Sequence, residues 1–385
     1  FRKLKMSNIG IYVHWPYCLS KCPYCDFNSH VSKEKIDQLN YLSLIKKELD
    51  SYSEIIENKT ISSVFFGGGT PSLMEPKIID NLLDHISKKY KTDQALEITL
   101  EANPTSVEQN KFIAYSSAGI NRVSIGVQSL NDVDLKRLGR NHTAKEAIKA
   151  IDIAFNSFNS VSIDLIYCRP GQKEEDWERE LHKALSLSTQ HLSLYQLTIE
   201  PNTRYEILFK AGKLKLPDEN TSAKLYQMTE DICEKFNLYK YEISNFAKNG
   251  HQCLHNLNYW HSGEWIGIGP GAHSRIIKNM KRTSIINEYD PKKWSNLIIK
   301  NGNSTIEEEI LTNEQNCDEY LLMSMRTTEG MKIKKYNSLG GKLDKVTVDQ
   351  FINDGFLEKN NYGENINITR KGSMLSDMII ANIAS

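Results

Sequence analysis

The sequence lacks the features that would place it among membrane-spanning, secreted or strongly charged proteins. Its 385 residues show no excess of charge of one sign, because 48 Lys and Arg balance 48 Asp and Glu. This balance disfavours a protein that binds nucleic acid through a strongly basic surface. No apolar run reaches the ~18 residues of a membrane span, and residues 1–10 contain no apolar core of a secretory signal. These absences predict a cytoplasmic protein.

Cysteine is also scarce, and its distribution is uneven. Seven cysteines over this length are too few for a disulfide scaffold, and a reducing compartment would keep them as thiols. Three of them fall in "CLSKCPYC" (residues 18–25), at the spacing C-x3-C-x2-C with no fourth cysteine beside them. A zinc site would need a fourth ligand, for which His14 and His30 are nearby candidates. A [4Fe–4S] cluster held by three thiolates would leave one iron open to a substrate or cofactor.

Short apolar stretches alternate with longer amphipathic ones over the first 200 residues. Six stretches rich in β-branched and aromatic residues predict strands at 9–15, 63–68, 96–102, 122–128, 160–167 and 192–199. Repeated strand–helix units imply right-handed crossovers and a parallel sheet, either open or curved into a partial barrel. Predicted helices at 313–326, 341–354 and 371–383, with a hairpin at 356–369, indicate a winged-helix-like α+β module. We therefore predict a core of residues 1–300 and a module of residues 301–385.

Polar or glycine residues occur at or just beyond the carboxyl ends of four consecutive predicted strands. Glycines let a backbone approach a ligand closely and leave N–H groups free. A carboxylate can accept from an ammonium or ribose hydroxyl, and an arginine can form two hydrogen bonds to a carboxylate. Each residue also has a structural alternative as a cap, a turn or an ion pair. Because ligands bind at this edge of parallel sheets, we predict a binding site containing Gly68, Gly69, Thr70, Glu101, Gln128, Arg140 and Asp164.

The cysteine spacing, with Tyr24 before the last cysteine, resembles the cluster-binding segment of the radical SAM enzymes. The resemblance implies a partial (β/α)6 barrel with a small C-terminal winged-helix-like module. It also implies a [4Fe–4S] cluster whose open iron chelates S-adenosylmethionine, and one electron from the cluster would cleave this cofactor to a 5′-deoxyadenosyl radical. The implied cluster ligands are Cys18, Cys22 and Cys25. The implied cofactor contacts are the seven residues of the predicted binding site and Tyr12, six residues before the first cysteine.

Five segments narrow the resemblance to the coproporphyrinogen-oxidase-like branch: "IYVHWPYCLSKCPYCDFNS", "FFGGGTPS", "LEANP", "RVSIGVQS" and "LGRNHT". The oxygen-independent coproporphyrinogen III dehydrogenases of this branch typically have a longer N-terminal segment and a further cysteine where this chain has Phe27. "CDFNS" and "HNLNYW" (residues 255–260) are instead typical of the HemW heme chaperones. This closer resemblance implies a protein that binds heme and delivers it to clients such as membrane respiratory enzymes. A homodimer is compatible with this interpretation.

The hexapeptide "HNLNYW" contains the candidate heme contact, His255. Imidazole is a common axial ligand of heme iron, and tyrosine and tryptophan can stack on a flat macrocycle. The alternative is that the hexapeptide is packed structure beside the barrel. Cys253 is a second or alternative ligand, and His273 is a lesser candidate. Cys168 departs from the family, which usually has glycine there, and its side chain would enter the loop after strand five.

Two other functions remain as alternatives to heme delivery. One is dehydrogenation of coproporphyrinogen III by a 5′-deoxyadenosyl radical, which the replacement of the further cysteine by Phe27 disfavours. The other is a zinc-containing winged-helix protein that binds nucleic acid, which the zero net charge and the absence of a basic stripe in the C-terminal helices disfavour. The sequence does not identify catalytic residues and leaves open whether the protein is an enzyme.

Overall fold

Six parallel strands form the centre of the largest sheet in the computed structural model, which describes residues 7–32, 34–187 and 189–384. In chain order these strands are β1 (Ser7–Trp15), β2 (Lys59–Gly68), β3 (Thr92–Ala102), β4 (Arg122–Gln128), β5 (Ser160–Tyr167) and β6 (His191–Gln196). Each strand pairs in parallel with the one before it in sequence. The predicted α/β fold with six strand–helix units is therefore confirmed.

Six further strands extend this sheet on both sides. They are β7 (Tyr239–Lys240), β8 (Asn245–Ala247), β9 (Glu264–Ile268), β10 (His273–Lys278), β11 (Lys281–Asn287) and β12 (Thr305–Ile310). Strand β9 pairs in parallel with the outer side of β1, and the other five pair antiparallel. The sequence predicted strand structure only around β7 and β8. The domain division at residue 300 stays a prediction, and β12 shows that residues 305–310 pair with the sheet of the core.

The helices in the connections between strands cover the sheet, and other helices form part of the C-terminal region. They are Gln38–Asp50, Ser53–Ile56, Pro76–Lys89, Ser106–Gln109, Phe112–Ser117, Asp132–Arg137, Ala144–Ser157, Glu174–Ser186, Arg204–Lys210, Glu219–Lys235, Leu254–Trp260, Pro291–Asn301, Asn313–Ser324, Ile333–Ser338, Lys345–Asn353 and Ser376–Ile383. Short 3-10 turns occur at Pro71–Leu73, Asn361–Gly363 and Ser373–Leu375. Within the described ranges, no helix has the length and apolar character needed to cross a membrane.

The helix Ala144–Ser157 shows how local sequence sets these elements. Thr143 and Glu146 form a capping box at its start, in which each side chain accepts from the other residue's backbone N–H. Its buried residues recur at helical spacing and pack against β4 and β5: Ala147, Ala150, Ile151 and Ala154. The helix ends where Phe158 adopts an extended conformation. Because one apolar face must be buried, the helix is fixed on the outer side of the sheet.

The alternation of side chains along each strand separates the core from the inside of the partial barrel. In β1, the apolar core contains Ile9, Ile11, Val13 and Trp15. The intervening residues Gly10, Tyr12 and His14 therefore share the opposite face. By the same alternation, Ser124, Gly126 and Gln128 lie on one face of β4. Polar side chains thus project from these strands into the inside of the partial barrel, where Phe65 also packs against Tyr12 and His255.

The C-terminal region forms a small module with its own apolar core. Its three-stranded sheet consists of Met331–Lys332, Leu357–Asn360 and Asn365–Ile368. The last two strands are the predicted hairpin, and the first adds a strand that the sequence did not predict. Helices Asn313–Ser324, Lys345–Asn353 and Ser376–Ile383 contribute buried residues to its core. The fold of the module is that of the predicted winged-helix-like α+β class.

Candidate cluster and cofactor site

One cavity collects most of the predicted site residues. This inner cavity has a volume of about 380 Å³ and lies at the carboxyl ends of β1 to β6. It is lined by the three clustered cysteines and by all seven residues predicted from the strand ends: Cys18, Cys22, Cys25, Gly68, Gly69, Thr70, Glu101, Gln128, Arg140 and Asp164. Tyr12 and His255 do not line it. Residues as far apart as 18 and 164 in sequence therefore share one cavity.

The three thiols lie on the cysteine loop (residues 18–25), where neighbouring side chains donate to two of the sulfur atoms. Thr70 Oγ1 donates to Cys18 Sγ at 3.4 Å, and Arg140 Nη1 donates to Cys22 Sγ at 3.4 Å. Burial raises the pKa of Cys18 and Cys25. A metal binds thiolate, so ligation would release protons here, and the Thr70 hydroxyl and the Arg140 charge oppose the raised pKa of Cys18.

The glycine-rich segment after β2 lies against the residues that lead into the cysteine loop. The Gly69 N–H donates to the Trp15 carbonyl at 2.7 Å, and the Thr70 N–H donates to the Tyr17 carbonyl at 2.9 Å. A Cβ at Gly69 would lie 2.8 Å from the Tyr17 oxygen, closer than side chains tolerate. The expectation that this segment leaves its N–H groups free is therefore wrong, because these donors attach the segment to the strand beside it.

Two carboxyl groups face the inner cavity without a cation. Glu101 accepts the Gly68 N–H at 3.2 Å, and Asp164 accepts the Ser124 hydroxyl at 2.9 and 3.0 Å. Burial and, to a lesser extent, the charge of Asp164 raise the pKa of Glu101 to about 8, and the Gly68 N–H opposes this shift. Burial also raises the pKa of Asp164. No ion pair to either group occurs in the described part of the chain, so a ligand with ammonium or hydroxyl donors would find acceptors here.

Arg140 joins the cysteine loop to the strand ends. Besides its contact with Cys22, its Nη2 donates to the Gly126 carbonyl at 2.9 Å and to the side-chain oxygen of Asn103. Asn103 and Ser124 line the inner cavity and were missed by the sequence analysis. The period-two spacing of Ser124 from Gly126 was a usable signal, because it places both residues on the same face of β4.

Gln128 reaches the inner cavity from a strained backbone position. Its φ is +67°, in the left-handed region that non-glycine residues rarely adopt. A buried ion pair between Arg169 and Glu180 holds the following turn. Glu180 accepts the Ser129 hydroxyl at 2.6 Å and the Leu130 N–H at 2.5 Å, and Arg169 Nη1 donates to the Gln128 carbonyl at 3.4 Å. No pattern in the sequence indicated this ion pair.

The candidate zinc ligands His14 and His30 both contact Asn28 instead of a cysteine. His14 Nε2 lies 2.9 Å from the Asn28 carbonyl oxygen, and its Nδ1 lies 3.0 Å from the Tyr12 hydroxyl. His30 Nε2 lies 3.1 Å from Asn28 Oδ1. Among the described residues, no group of three His, Cys, Asp or Glu side chains is arranged to hold a single metal ion. The zinc interpretation gains no support from this geometry.

His255 lies on the motif helix (Leu254–Trp260) and is buried on the other side of β2 from the helix-packed core. Its Nδ1 lies 2.8 Å from the Ser63 hydroxyl, its Nε2 lies 2.7 Å from the Tyr259 hydroxyl, and its ring stacks on Phe65. Burial lowers the pKa of His255 to about 3, so the imidazole is neutral. Heme contact at His255 stays a prediction, and iron could reach Nε2 only if the Tyr259 hydroxyl moved away.

The remaining cysteine and histidine candidates lie apart from the inner cavity. Cys253 is buried, and its thiol lies 3.5 Å from Glu97, which also accepts the N–H of His255 at 3.0 Å and so holds the start of the motif helix. His273 begins strand β10. Cys168 is buried with a φ of +56°, a conformation that glycine adopts without strain. Burial raises the pKa of its thiol to about 11.

Comparisons with known proteins identify the family. The model of the Radical SAM superfamily matches residues 12–184. The heme chaperone HemW of Haemophilus influenzae is 35% identical over 384 residues, covering 98% of this chain and 98% of that protein. HemW of Escherichia coli is 40% identical over 274 residues, covering 71% of each chain. This chain belongs to the HemW family of radical SAM proteins.

Other relatives of this HemW-family chain extend the comparison. The mitochondrial radical S-adenosyl methionine domain-containing protein 1 of Danio rerio is 36% identical over 328 residues, covering 84% of this chain and 73% of that protein. The structure of coproporphyrinogen III oxidase (HemN) from Escherichia coli, a radical SAM enzyme, superposes with a TM-score of 0.82. That alignment covers 98% of this chain and 90% of HemN at 20% identity. This likeness shows a shared fold.

Membership of the radical SAM family implies a [4Fe–4S] cluster and S-adenosylmethionine, and the inner cavity fits both. Three cysteines and no fourth line it, which suits a cluster with one iron open to a ligand. The uncompensated carboxyls of Glu101 and Asp164 suit the ammonium and hydroxyl donors of S-adenosylmethionine. When bound, such a cluster supplies a single electron to the cofactor.

The raised pKa of Glu101 predicts a pH dependence of stability for the cofactor-free protein. Its folded-state pKa of about 8 exceeds the ordinary value of 4.5, so its contribution to stability is complete below 4.5 and is lost as pH rises through 8. The loss should stay below about 1.4 kcal/mol per pH unit, because the side chain faces the cavity. Urea unfolding of the wild type and of Glu101→Gln between pH 4.5 and 8 measures this loss. If the free energy of unfolding changes equally with pH in the two proteins, the prediction is wrong.

Proposed function

We propose that this protein is a heme chaperone, which binds a [4Fe–4S] cluster, S-adenosylmethionine and heme and passes the heme to client proteins in the cytoplasm or at the membrane. The main support for this function is that the Haemophilus influenzae heme chaperone aligns over 98% of both chains. The inner cavity and the motif helix therefore both lie within the shared length. Respiratory enzymes that need heme are the proposed clients.

We assign the cluster to Cys18, Cys22 and Cys25, and the cofactor to the residues that face them across the inner cavity. Glu101 and Asp164 supply acceptors for ammonium and hydroxyl groups. Arg140 donates to the sulfur of Cys22 and fixes the cysteine loop to the strand ends. The remaining proposed contacts are Gly68, Gly69, Thr70 and Gln128 in the cavity wall and Tyr12 inside the barrel.

Phe27 favours heme delivery over the dehydrogenation of coproporphyrinogen III as the function of this protein. It lines the inner cavity at the position where the dehydrogenase branch carries a further cysteine, and its side chain is exposed. An aromatic side chain there offers apolar contact and no thiol. Anaerobic incubation with coproporphyrinogen III, reductant and S-adenosylmethionine tests the difference. Formation of protoporphyrinogen IX with repeated turnover would reject the chaperone function.

We propose that His255 contacts heme after its ring is released from Tyr259, its hydrogen-bond partner on the motif helix. Its neutral imidazole is the form that ligates iron, and the Tyr259 hydroxyl occupies the Nε2 position at 2.7 Å. Displacement of one hydroxyl would expose this nitrogen while Ser63 continued to orient the ring through Nδ1. The motif helix would then supply both the ligand and the group that covers it.

Heme titration of the anaerobically reconstituted protein tests this arrangement. His255→Ala should weaken heme binding at least about 10-fold, through loss of an axial ligand. Tyr259→Phe keeps the imidazole and removes only the covering hydroxyl, so its heme affinity should be equal to or higher than that of the wild type. An unchanged Soret band and affinity in His255→Ala would remove His255 as the ligand.

A further inference from the structure

A buried chain of hydrogen bonds runs from the start of the motif helix to Asp164 at the inner cavity. The Cys253 N–H donates to the Tyr241 hydroxyl at 3.2 Å, and this hydroxyl lies 2.8 Å from His191 Nε2. His191 Nδ1 lies 2.7 Å from the Ser162 hydroxyl, which lies 3.2 Å from Asp164 Oδ1. We call Ser162, His191 and Tyr241 the polar relay. All three are buried, and none of them lines the inner cavity.

The register of two neighbouring strands places the polar relay beside Asp164. Ser162 and Asp164 are two residues apart on β5, so their side chains share one face of the sheet. In the pairing of β5 with β6, Ser162 lies opposite His191, and Asp164 lies opposite Ser193. The intervening apolar residues of both strands belong to the core. A buried imidazole and a buried hydroxyl therefore meet next to the carboxylate, on the face that is turned to the inside of the barrel.

The Tyr241 hydroxyl determines which nitrogen of His191 carries the proton. A tyrosine hydroxyl has one hydrogen to donate, and its oxygen accepts the Cys253 N–H. That hydrogen points at His191 Nε2, because a buried hydroxyl without an acceptor costs free energy. Burial lowers the pKa of His191 well below its usual value, so the imidazole is neutral and Nδ1 keeps its single proton. Nδ1 is therefore the donor to Ser162.

The direction of these bonds makes the Asp164 carboxylate the final acceptor of the chain. Because the Ser162 oxygen accepts from His191, its own hydrogen turns to Asp164 Oδ1 or to the Ser193 hydroxyl, 3.1 Å away. Ser193 also donates to Asp164, so both routes end at the carboxylate. Ser124 donates to both carboxylate oxygens. Three serine hydroxyls thus hold Asp164, and the polar relay orients one of them.

We propose that His191 and Tyr241 are positioning residues of the S-adenosylmethionine site. They fix the Ser162 hydroxyl on Asp164, and the carboxylate is thereby held as an oriented acceptor for the ammonium or hydroxyl donors of the cofactor. A preorganised acceptor binds more tightly, because less freedom of motion is lost on binding. This inference rests on the proposed function, since it assumes that S-adenosylmethionine binds in the inner cavity.

The dissociation constant of S-adenosylmethionine tests this role, followed by the spectral change of the cluster in the anaerobically reconstituted full chain. His191→Leu keeps a bulky side chain without a donor, so affinity should fall about 10-fold, near the lower end for loss of a hydrogen bond to a charged group. His191→Asn places an amide N–H near the Nδ1 position and should recover most of the affinity. Ser162→Ala should match His191→Leu, and it carries the test if that variant loses its cluster. Iron and sulfide contents should otherwise equal those of the wild type.

A double-variant cycle separates positioning from a general loss of packing. If His191 acts through Asp164, its replacement should cost little once the carboxylate is gone. His191→Leu/Asp164→Asn should therefore bind S-adenosylmethionine about as weakly as Asp164→Asn alone. Residues that act independently would instead lower the affinity by the product of the two single losses, and that result would overturn the positioning role.

Tyr241→Phe and Tyr320→Phe form a matched pair of variants. Each removes a buried hydroxyl that accepts a backbone N–H, from Cys253 at 3.2 Å and from Lys332 at 3.1 Å. Tyr241→Phe should weaken S-adenosylmethionine binding severalfold, because the proton of His191 is no longer confined to Nδ1. Tyr320→Phe, in the C-terminal module, should leave binding unchanged. Equal affinities in these two variants would reject the polar relay, whereas a reconstituted wild type that binds no S-adenosylmethionine would reject the proposed function itself.

Discussion

Replacement of Cys22 by alanine should abolish the iron–sulfur cluster. The wild-type protein should bind about four iron and about four sulfide ions after anaerobic reconstitution, and the variant should bind almost none. The reason is geometric, because the cysteine loop supplies three thiols and the inner cavity contains no fourth cysteine to replace a lost one. The spectral response to S-adenosylmethionine should disappear with the cluster. Iron and acid-labile sulfide analysis measures the loss.

Cys317→Ala is the matched control for this change. Cys317 is buried in the core of the C-terminal module, apart from the inner cavity. This variant should retain its full iron content and its spectral response to S-adenosylmethionine. Retention of wild-type iron and sulfide by Cys22→Ala would contradict the cluster assignment, since no other thiol lines the cavity beside the three.

Replacement of Arg169 by alanine should destabilise the fold by about 3–5 kcal/mol. Arg169 is 2% exposed and pairs with Glu180, which is also buried. Loss of the guanidinium would leave a buried carboxylate without its cation. The Gln128 carbonyl would lose its donor from Arg169. Glu180, which accepts from Ser129 and Leu130 in the following turn, would lose its cation, so S-adenosylmethionine affinity should fall as well. Denaturant unfolding and cofactor titration measure the two effects.

The control for Arg169 lies on the same helix as Glu180. Arg179 pairs with Asp176 at 2.6 Å, but its side chain is 74% exposed. Arg179→Ala should therefore change stability by about 0–1 kcal/mol, as exposed ion pairs usually do. If the two variants lose similar amounts of stability, the buried pair does not hold the Gln128 turn in the way proposed.

Much of the site could be predicted because the relevant residues follow buried strands. Glu101, Gln128 and Asp164 lie in or at the end of apolar, β-branched stretches, and the carboxyl ends of parallel strands share one edge. The contact of Gln128 with Arg169 had no such signal, since 41 residues separate them in sequence. The strand β9 was missed because it is short and lies beside a glycine-rich segment, and because pairing with the distant strand β1 and with β10 stabilises it.

The sequence alone determined the radical SAM fold class, the cysteine loop and ten of the residues that meet at the inner cavity. These features depend on local spacing and on alternation along strands, both of which are written in the order of residues. Tertiary structure alone decided that His255 is covered by Tyr259, and that the N–H groups of Gly68 and Gly69 donate to Glu101 and to the Trp15 carbonyl. Each of these depends on which side chains compete for the same space and the same hydrogen bonds, and that competition exists only once distant segments are packed together.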